Sequence, residues 1–225
     1  MVYKTTHQLL LFNMKLKKRI LEIAYKNKLS HLGSYLSSLE IIEEIYKKKN
    51  PEDIFILSSG HAALALYVVL EAYEGKNAEV LFKKHGGHPH RNEEDGLYCS
   101  TGSLGLGITV AVGRALANPK RKVYVLISDG ESAEGSVWEA LRFIHDQNIK
   151  NIEVYVNING YAAYDKIDSK YLSDRLLAFL PNINLRYTSV NQYPFLKGIN
   201  AHYHIMSEEE YKSIWEKNLQ NNYII

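Results

Sequence analysis

The sequence has one cysteine in 225 residues, Cys99, so it can form neither an internal disulfide framework nor a multi-cysteine zinc or iron–sulfur site. It has no run approaching the ~20 apolar residues that a bilayer-spanning helix needs. The stretch Leu9–Phe12 is too short for a signal h-region and lacks a small-residue cleavage site. Neither sign of charge is in excess: 27 Lys+Arg stand against 25 Asp+Glu, a net charge of +2, which predicts neither a nucleic-acid binder nor an acidic tail. A cytoplasmic protein without membrane or nucleic-acid partners is expected. At 46% hydrophobic residues, the chain has enough apolar material for a packed core and too much for a disordered one. Glycine is also scarce, at 14 residues, but its positions cluster.

A length of 225 accommodates one large α/β domain or two small ones. Helix and strand signals alternate without repeats or a low-complexity linker, and a single domain over 1–225 is expected. Leu16, Ile20, Ile23 and Ala24 recur at helical spacing and predict a helix over 13–27. Ser37 with Glu40 reads as a capping box opening a helix to about Tyr46, and Ser207 with Glu210 as a second opening the terminal helix. Between them the pattern predicts a strand at Ile54–Leu57, a helix at His61–Tyr73, a polar loop over 83–96 and a small-residue helix at Gly105–Ala117. Val123–Ile127 is a continuous apolar run, as a strand buried on both faces requires. A helix around Trp138–Phe143, a strand at Ile152–Asn157, a helix ending near Leu180 and a strand at Ile183–Val190 follow. Strand–helix–strand units at these intervals predict an α/β fold, a doubly wound, mostly parallel sheet with helices on both faces.

Ligands of such sheets bind beyond the carboxyl ends of the strands. Two of those ends carry oxygen-bearing turns, Ser128-Asp129-Gly130 and Asn157-Ile158-Asn159-Gly160-Tyr161. Asp129 and Asn159 stand 30 residues apart, about one βαβ unit, so a crossover can bring them together. Oxygen ligands of this kind suit Mg²⁺ bridged to a phosphate-bearing ligand, and Gly130 permits a close backbone approach. Each dipeptide is also an ordinary turn, and Glu134 is also readable as a helix-start carboxylate. The stretch Gly102-Ser103-Leu104-Gly105-Leu106-Gly107 leads into a helix and presents backbone N–H groups to an anion. No acidic partner sits at the dinucleotide-binding spacing, which argues against NAD. His85, His88 and His90 invite a zinc reading, but nothing else in their loop supplies the further ligand and orienting groups that catalytic zinc needs.

Five collinear segments resemble the N-terminal, diphosphate-binding half of transketolase. They are HLGSYLS (31–37), SSGHAALALY (58–67), GGHPHR (86–91), STGSLGLGITVAVGRALA (100–117) and SDGESAEGSVWEA (128–140), with the Asp-Gly … Asn spacing of the thiamine-diphosphate fingerprint. The resemblance implies that Asp129, the Asn159 side chain and the Tyr161 carbonyl hold Mg²⁺, or another divalent cation such as Ca²⁺ or Mn²⁺, against the cofactor's diphosphate. It also implies that His61, Gly102, Ser103, Leu104, Gly130, Glu131 and Asn159 surround thiamine diphosphate. Glu134 falls on the family's subunit-interface glutamate. His31, His61, His88 and His202 fall on positions that line the substrate channel and shuttle protons, work suited to imidazole near neutral pH. His202 rests on a looser likeness of NAHYHIMSEEEY (200–211) to a family segment. His7, His85, His90, His145 and His204 read as solvated or structural.

Family enzymes complete the site with a second, pyrimidine-binding domain that carries the glutamate facing the aminopyrimidine and basic residues for a sugar phosphate. No such domain fits after residue 212, so the resemblance implies a split enzyme. A separate pyrimidine-binding subunit, in an α₂β₂ assembly, would complete a transferase of two-carbon ketol units between sugars or sugar phosphates. Ser128 and Asn157 depart from the family's usual glycine and aspartate. After Asp165 the chain is shorter than the family by about one strand–helix unit, and the Lys-Gly-Lys-Gly that follows the family's last strand is absent. A nucleotide-linked sugar, another 2-oxo compound or a non-catalytic scaffold role remain alternatives; the histidines favour a polyhydroxy substrate.

Overall fold

The computed structural model describes residues 6–163 and 165–220. Its sheet is built from three runs rich in β-branched and aromatic residues, Ile54–Leu57 (β1), Val123–Ser128 (β2) and Ile152–Ile158 (β3), and a shorter fourth, Asn184–Tyr187 (β4). All pair in parallel in the order β1-β2-β3-β4. Because side chains alternate across a strand, each strand feeds two cores. Phe55, Leu57, Tyr124, Leu126 and Tyr155 face one, with helices α1 (Thr6–Lys26), α2 (Leu32–Lys48), α3 (Ala63–Glu74) and α4 (Ala78–His85). Ile54, Ile56, Val125, Ile127 and Val156 face the other, with α5 (Leu106–Ala117), α6 (Gly135–Asp146) and α7 (Ser169–Phe179). The terminal helix α8 (Glu208–Gln220) contributes Ile214 to the first core. Ile20, Leu21, Leu32, Ile42 and Ile45 are essentially inaccessible to solvent, and each such burial is worth on the order of 2 kcal/mol. The sheet is thus a parallel α/β sheet covered by helices on both faces, which is the expected fold class.

Several element boundaries differ from the sequence expectation, each for a local reason. Helix α1 begins at Thr6, a turn and a half or more ahead of the expected start. Helix α2 begins at Leu32 and not at Ser37, after His31 in the left-handed region (φ 64°). Ser37 therefore lies inside the helix, where its hydroxyl bonds back to Ser34 O and accepts from Asn157. By contrast the second capping box forms: Ser207 N–H donates to Glu210 Oε2 at 2.8 Å and Glu210 N–H to Ser207 Oγ at 3.2 Å. The polar stretch read as loop from residue 83 is helical through His85, in a helix capped by Asn77, whose Oδ1 accepts from Val80 N–H. Strand β4 stops at Tyr187, short of Val190, because Thr188 turns its hydroxyl to Asn157 and the chain leaves the sheet.

The strand order matters for function because β1, β2 and β3 end side by side. His61 follows β1, Asp129 follows β2 and Asn159 follows β3, so residues far apart in sequence meet at one edge of the sheet.

Candidate functional site

Beyond the strand ends lies a cavity of about 580 Å³. On its sheet side the Asp129 carboxylate gathers backbone N–H groups. Its Oδ2 accepts from Asn159 at 2.8 Å and Gly160 at 2.7 Å, and its Oδ1 from Gly130 at 3.0 Å. These bonds clamp the turn after β3 onto the end of β2. Burial pushes the Asp129 carboxyl up to about 6 despite the three backbone donors, because a desolvated carboxylate lacks a counter-charge. A divalent cation would reverse that penalty. Asn159 Oδ1 accepts from Tyr161 N–H at 3.0 Å, and the turn leaves Gly130, Asn159 and Tyr161 on the cavity wall.

Glycine-rich 102–107 runs along the next side. Gly102 has φ 138°, and a Cβ there would stand 3.2 Å from the His88 ring, so glycine lets the backbone pass beside that ring. A Cβ on Gly107 would stand 2.6 Å from Ser58 Cα, which fixes how closely α5 approaches the end of β1. Beneath this loop sits Glu131, with no exposed surface. Its Oε1 accepts from Ser58 Oγ at 2.7 Å and from Gly105 N–H at 2.9 Å, and its Oε2 from Ser128 N–H at 3.2 Å. Burial pushes this carboxyl up while the three donors pull it down. Glu131 therefore ties the glycine loop to β1 and β2 from below and does not reach the cavity. Ser103 and Glu134 are exposed and also lie off the cavity wall.

The four histidines that the motifs single out converge opposite Asp129. The His31 ring centroid lies 4.3 Å from His202, 5.8 Å from His61 and 6.3 Å from His88, and His61 lies 5.4 Å from His202. His31 holds its positive φ through a backbone bond, its N–H donating to His202 O at 2.9 Å. A side chain other than glycine in that region is uncommon and marks a constrained position. Burial, then the neighbouring His202 and His88, lower the His31 pKa to about 4. Burial and the same crowd of imidazoles take His61 down to about 3, and burial followed by His88 lowers His202. These three rings are neutral near pH 7, each with one N–H donor and one acceptor nitrogen. His31 Nδ1 is buried without a hydrogen-bond partner, a cost that a hydroxyl-bearing ligand in the cavity would relieve.

His85 stands apart from this group, with Nε2 2.7 Å from Asp95 Oδ2, and His204 bonds Glu210 at 2.8 Å. His145 is exposed beside Asp146, and the side chain of His7 lies outside the described residues. The motifs did not reveal the fourth wall, in which Thr188, Ser189, Asn191, Leu196 and Ala201 line the cavity together with Ser37 from α2. The only hint was the likeness of 181–190 to a family strand, since the wall follows where that strand ends.

A parallel α/β sheet with an oxygen-rich turn and clustered imidazoles at its strand ends defines the class of this protein. Residues 19–177, more than half of the chain, match the family described as transketolase, thiamine diphosphate binding domain. The chain belongs to that family. One of the two subunits of an apulose-4-phosphate transketolase from Phocaeicola vulgatus is 36% identical over 165 residues, covering 64% of this chain and 58% of the relative. The protein of the same name from Actinobacillus succinogenes is 40% identical over 130 residues, 49% of this chain and 47% of the relative. A 6-deoxy-6-sulfo-D-fructose transketolase subunit from a Clostridium species is 31% identical over 164 residues, 64% and 60% respectively. The chain thus spans about half the length of the curated relatives it matches. Among solved structures, a transketolase from Pichia stipitis superposes with a TM-score of 0.67 and one from Leishmania mexicana with 0.64. Each is 20% identical and covers 95% of this chain and 42% of the other, a likeness of fold.

Proposed function

We propose that this chain is the diphosphate-binding subunit of a split, thiamine-diphosphate-dependent transketolase that moves a two-carbon ketol unit between a sugar or sugar-phosphate donor and an acceptor. The observation that carries this reading is the meeting, in one cavity, of the Asp129–Asn159 turn pair with three histidines held neutral by burial. Relatives named as subunits of transketolases support a separate partner subunit.

On this reading Asp129, Asn159 and the Tyr161 carbonyl hold Mg²⁺ or a similar divalent cation, and the raised Asp129 pKa is the physical sign of a carboxylate suited to one. Gly130, Gly102, Leu104 and His61 border the cofactor. Bound thiamine diphosphate supplies the carbon nucleophile for ketol transfer, and the protein supplies position and electrostatics. His31, His88 and His202 hydrogen-bond the sugar hydroxyls and pass protons to and from them, which neutral imidazoles do in both directions. The partner, a pyrimidine-binding subunit in an α₂β₂ assembly, brings the glutamate that faces the aminopyrimidine, with Glu134 at the interface. The whole chain acts as one domain in the cytoplasm.

The test is to tag the chain in its native host, sequence what co-purifies, and assay the complex for ketol transfer with and without thiamine diphosphate and Mg²⁺. A partner of related fold and cofactor-dependent transfer support the proposal. A chain that transfers ketol units alone overturns the split reading, and a complex inert with all sugar donors overturns the activity.

A further inference from the structure

We infer that Asn157 is a positioning residue, the anchor through which the sheet fixes two walls of the cavity; the inference rests on the ketol-transferase reading and deepens it. Asn157 lies at the carboxyl end of β3 and is 3% exposed. Both hydrogens of its amide are used, Nδ2 donating to Ser37 Oγ at 3.0 Å and to Ser38 Oγ at 3.2 Å. Its Oδ1 accepts from Thr188 Oγ1 at 2.5 Å. Ser37 and Thr188 both line the cavity, one on α2 and the other just after β4.

These bonds close a ring. From Asn157 the ring passes through Ser37 into the first turns of α2, whose leading residue is His31. His31 N–H bonds His202 O, and the segment from His202 back to Thr188 forms the fourth wall, which returns to Asn157. One amide therefore holds both ends of the stretch that carries His31 and His202. A carboxylate of the same shape keeps the acceptor for Thr188 but has no hydrogen to give Ser37 and Ser38. The Asp129 turn is held differently. Asp129 N–H donates to the Asn157 main-chain oxygen at 3.0 Å, a bond that a side-chain substitution leaves in place. Loss of the amide should therefore loosen the substrate walls and spare the cation turn.

The first arm is amide hydrogen exchange on the full chain without ligand. Asn157→Asp is expected to lose about tenfold protection over 33–38 while 188–191 stays near wild type; Thr188→Val is expected to do the reverse, and Asn157→Ala to loosen both. Protection in β1–β3 stays unchanged in each. The second arm uses the complex with its partner, where Asn157→Ala should lower kcat/KM for the sugar about tenfold, with affinity for thiamine diphosphate plus Mg²⁺ within about twofold. Parallel losses of cofactor affinity and turnover, or exchange that rises across the whole sheet in Asn157→Asp and Thr188→Val alike, would overturn the inference. A wild-type complex without cofactor-dependent transfer removes the proposed activity, and the exchange arm still decides whether Asn157 anchors the two walls.

Discussion

The two sides of the cavity are built by different means. On the strand-end side one carboxylate is surrounded by main-chain donors from Gly130, Asn159 and Gly160, so position is set by the backbone. On the opposite side four imidazoles from four separate segments meet ring to ring, and position is set by side chains and the loops that carry them. Burial has one physical effect on both, to disfavour charge. It moves Asp129 up to about 6 and moves His31 and His61 down to about 4 and about 3. The acid side is thereby left wanting a cation, and the base side is left as neutral donors and acceptors. A single desolvated cavity can thus prepare one wall for a metal-bound anion and the other for sugar hydroxyls.

The most severe way to break this division is at the carboxylate. Asp129→Ala removes the proposed cation ligand and the acceptor of three N–H groups, and Mg²⁺-dependent thiamine-diphosphate binding by the assembled complex should fall beyond detection by calorimetry, about 100-fold or more. Full cofactor affinity in that variant would sink the metal assignment. Substitution on the other wall should separate binding from turnover. His31→Ala and His88→Ala are expected to lower kcat/KM about 100-fold with cofactor affinity little changed. Wild-type turnover in both would remove the histidines from the proton path.

A smaller effect is expected below the site. Glu131→Gln exchanges an all-acceptor carboxylate for an amide whose NH₂ must face one of three donors, from Ser58, Gly105 and Ser128. Leaving a buried donor unmet costs about 1–3 kcal/mol, so a lower Tm is the expected readout, with cofactor affinity falling about tenfold as the glycine loop loosens. An unchanged Tm would mean that this carboxylate does not hold the loop.

How far these walls were legible in the sequence follows from how each is made. The cation turn and the four histidines were legible because each sits in a short motif whose residue types carry the chemistry. The sheet was legible because runs such as Val123–Ile127 are apolar throughout. The Asn157–Ser37–Thr188 ring was not, since its partners are 120 and 31 residues away and serine beside a helix start has a commoner local explanation. That local explanation placed the start of α2 at Ser37, five residues late, although the same spacing at Ser207 and Glu210 does form a cap. The difference is burial: Ser207 is exposed and serves its own helix, whereas Ser37 is buried and serves the sheet. Glu131 was read as a cofactor contact because it adjoins Asp129 and Gly130, and only the fold shows that its side chain turns inward.

The gentlest test sharpens the comparison through pH. His31 and His61 stay neutral in the folded chain down to about 4 and about 3, while in the unfolded chain they take protons near the ordinary value of 6.5. Their contribution to stability is complete above 6.5 and is lost as pH falls from 6.5 toward 4, because there only the unfolded state binds the protons. Asp129 acts in the opposite sense. Its folded value of about 6 lies above the ordinary 3.8, so between those values the folded state holds the proton and acidification favours folding. Two histidines against one carboxylate leave a net loss on acidification from this cavity. Melting curves at pH 7 and pH 5 in buffer without divalent cations should show it, and His61→Gln should shrink the drop in Tm by about 2–3 °C relative to wild type. Comparison at constant Asp129 isolates the imidazole from the other groups that titrate in the same range. Equal pH dependence in the two proteins would mean that His61 is solvated in solution, and the neutral wall would then rest on His31 and His202 alone.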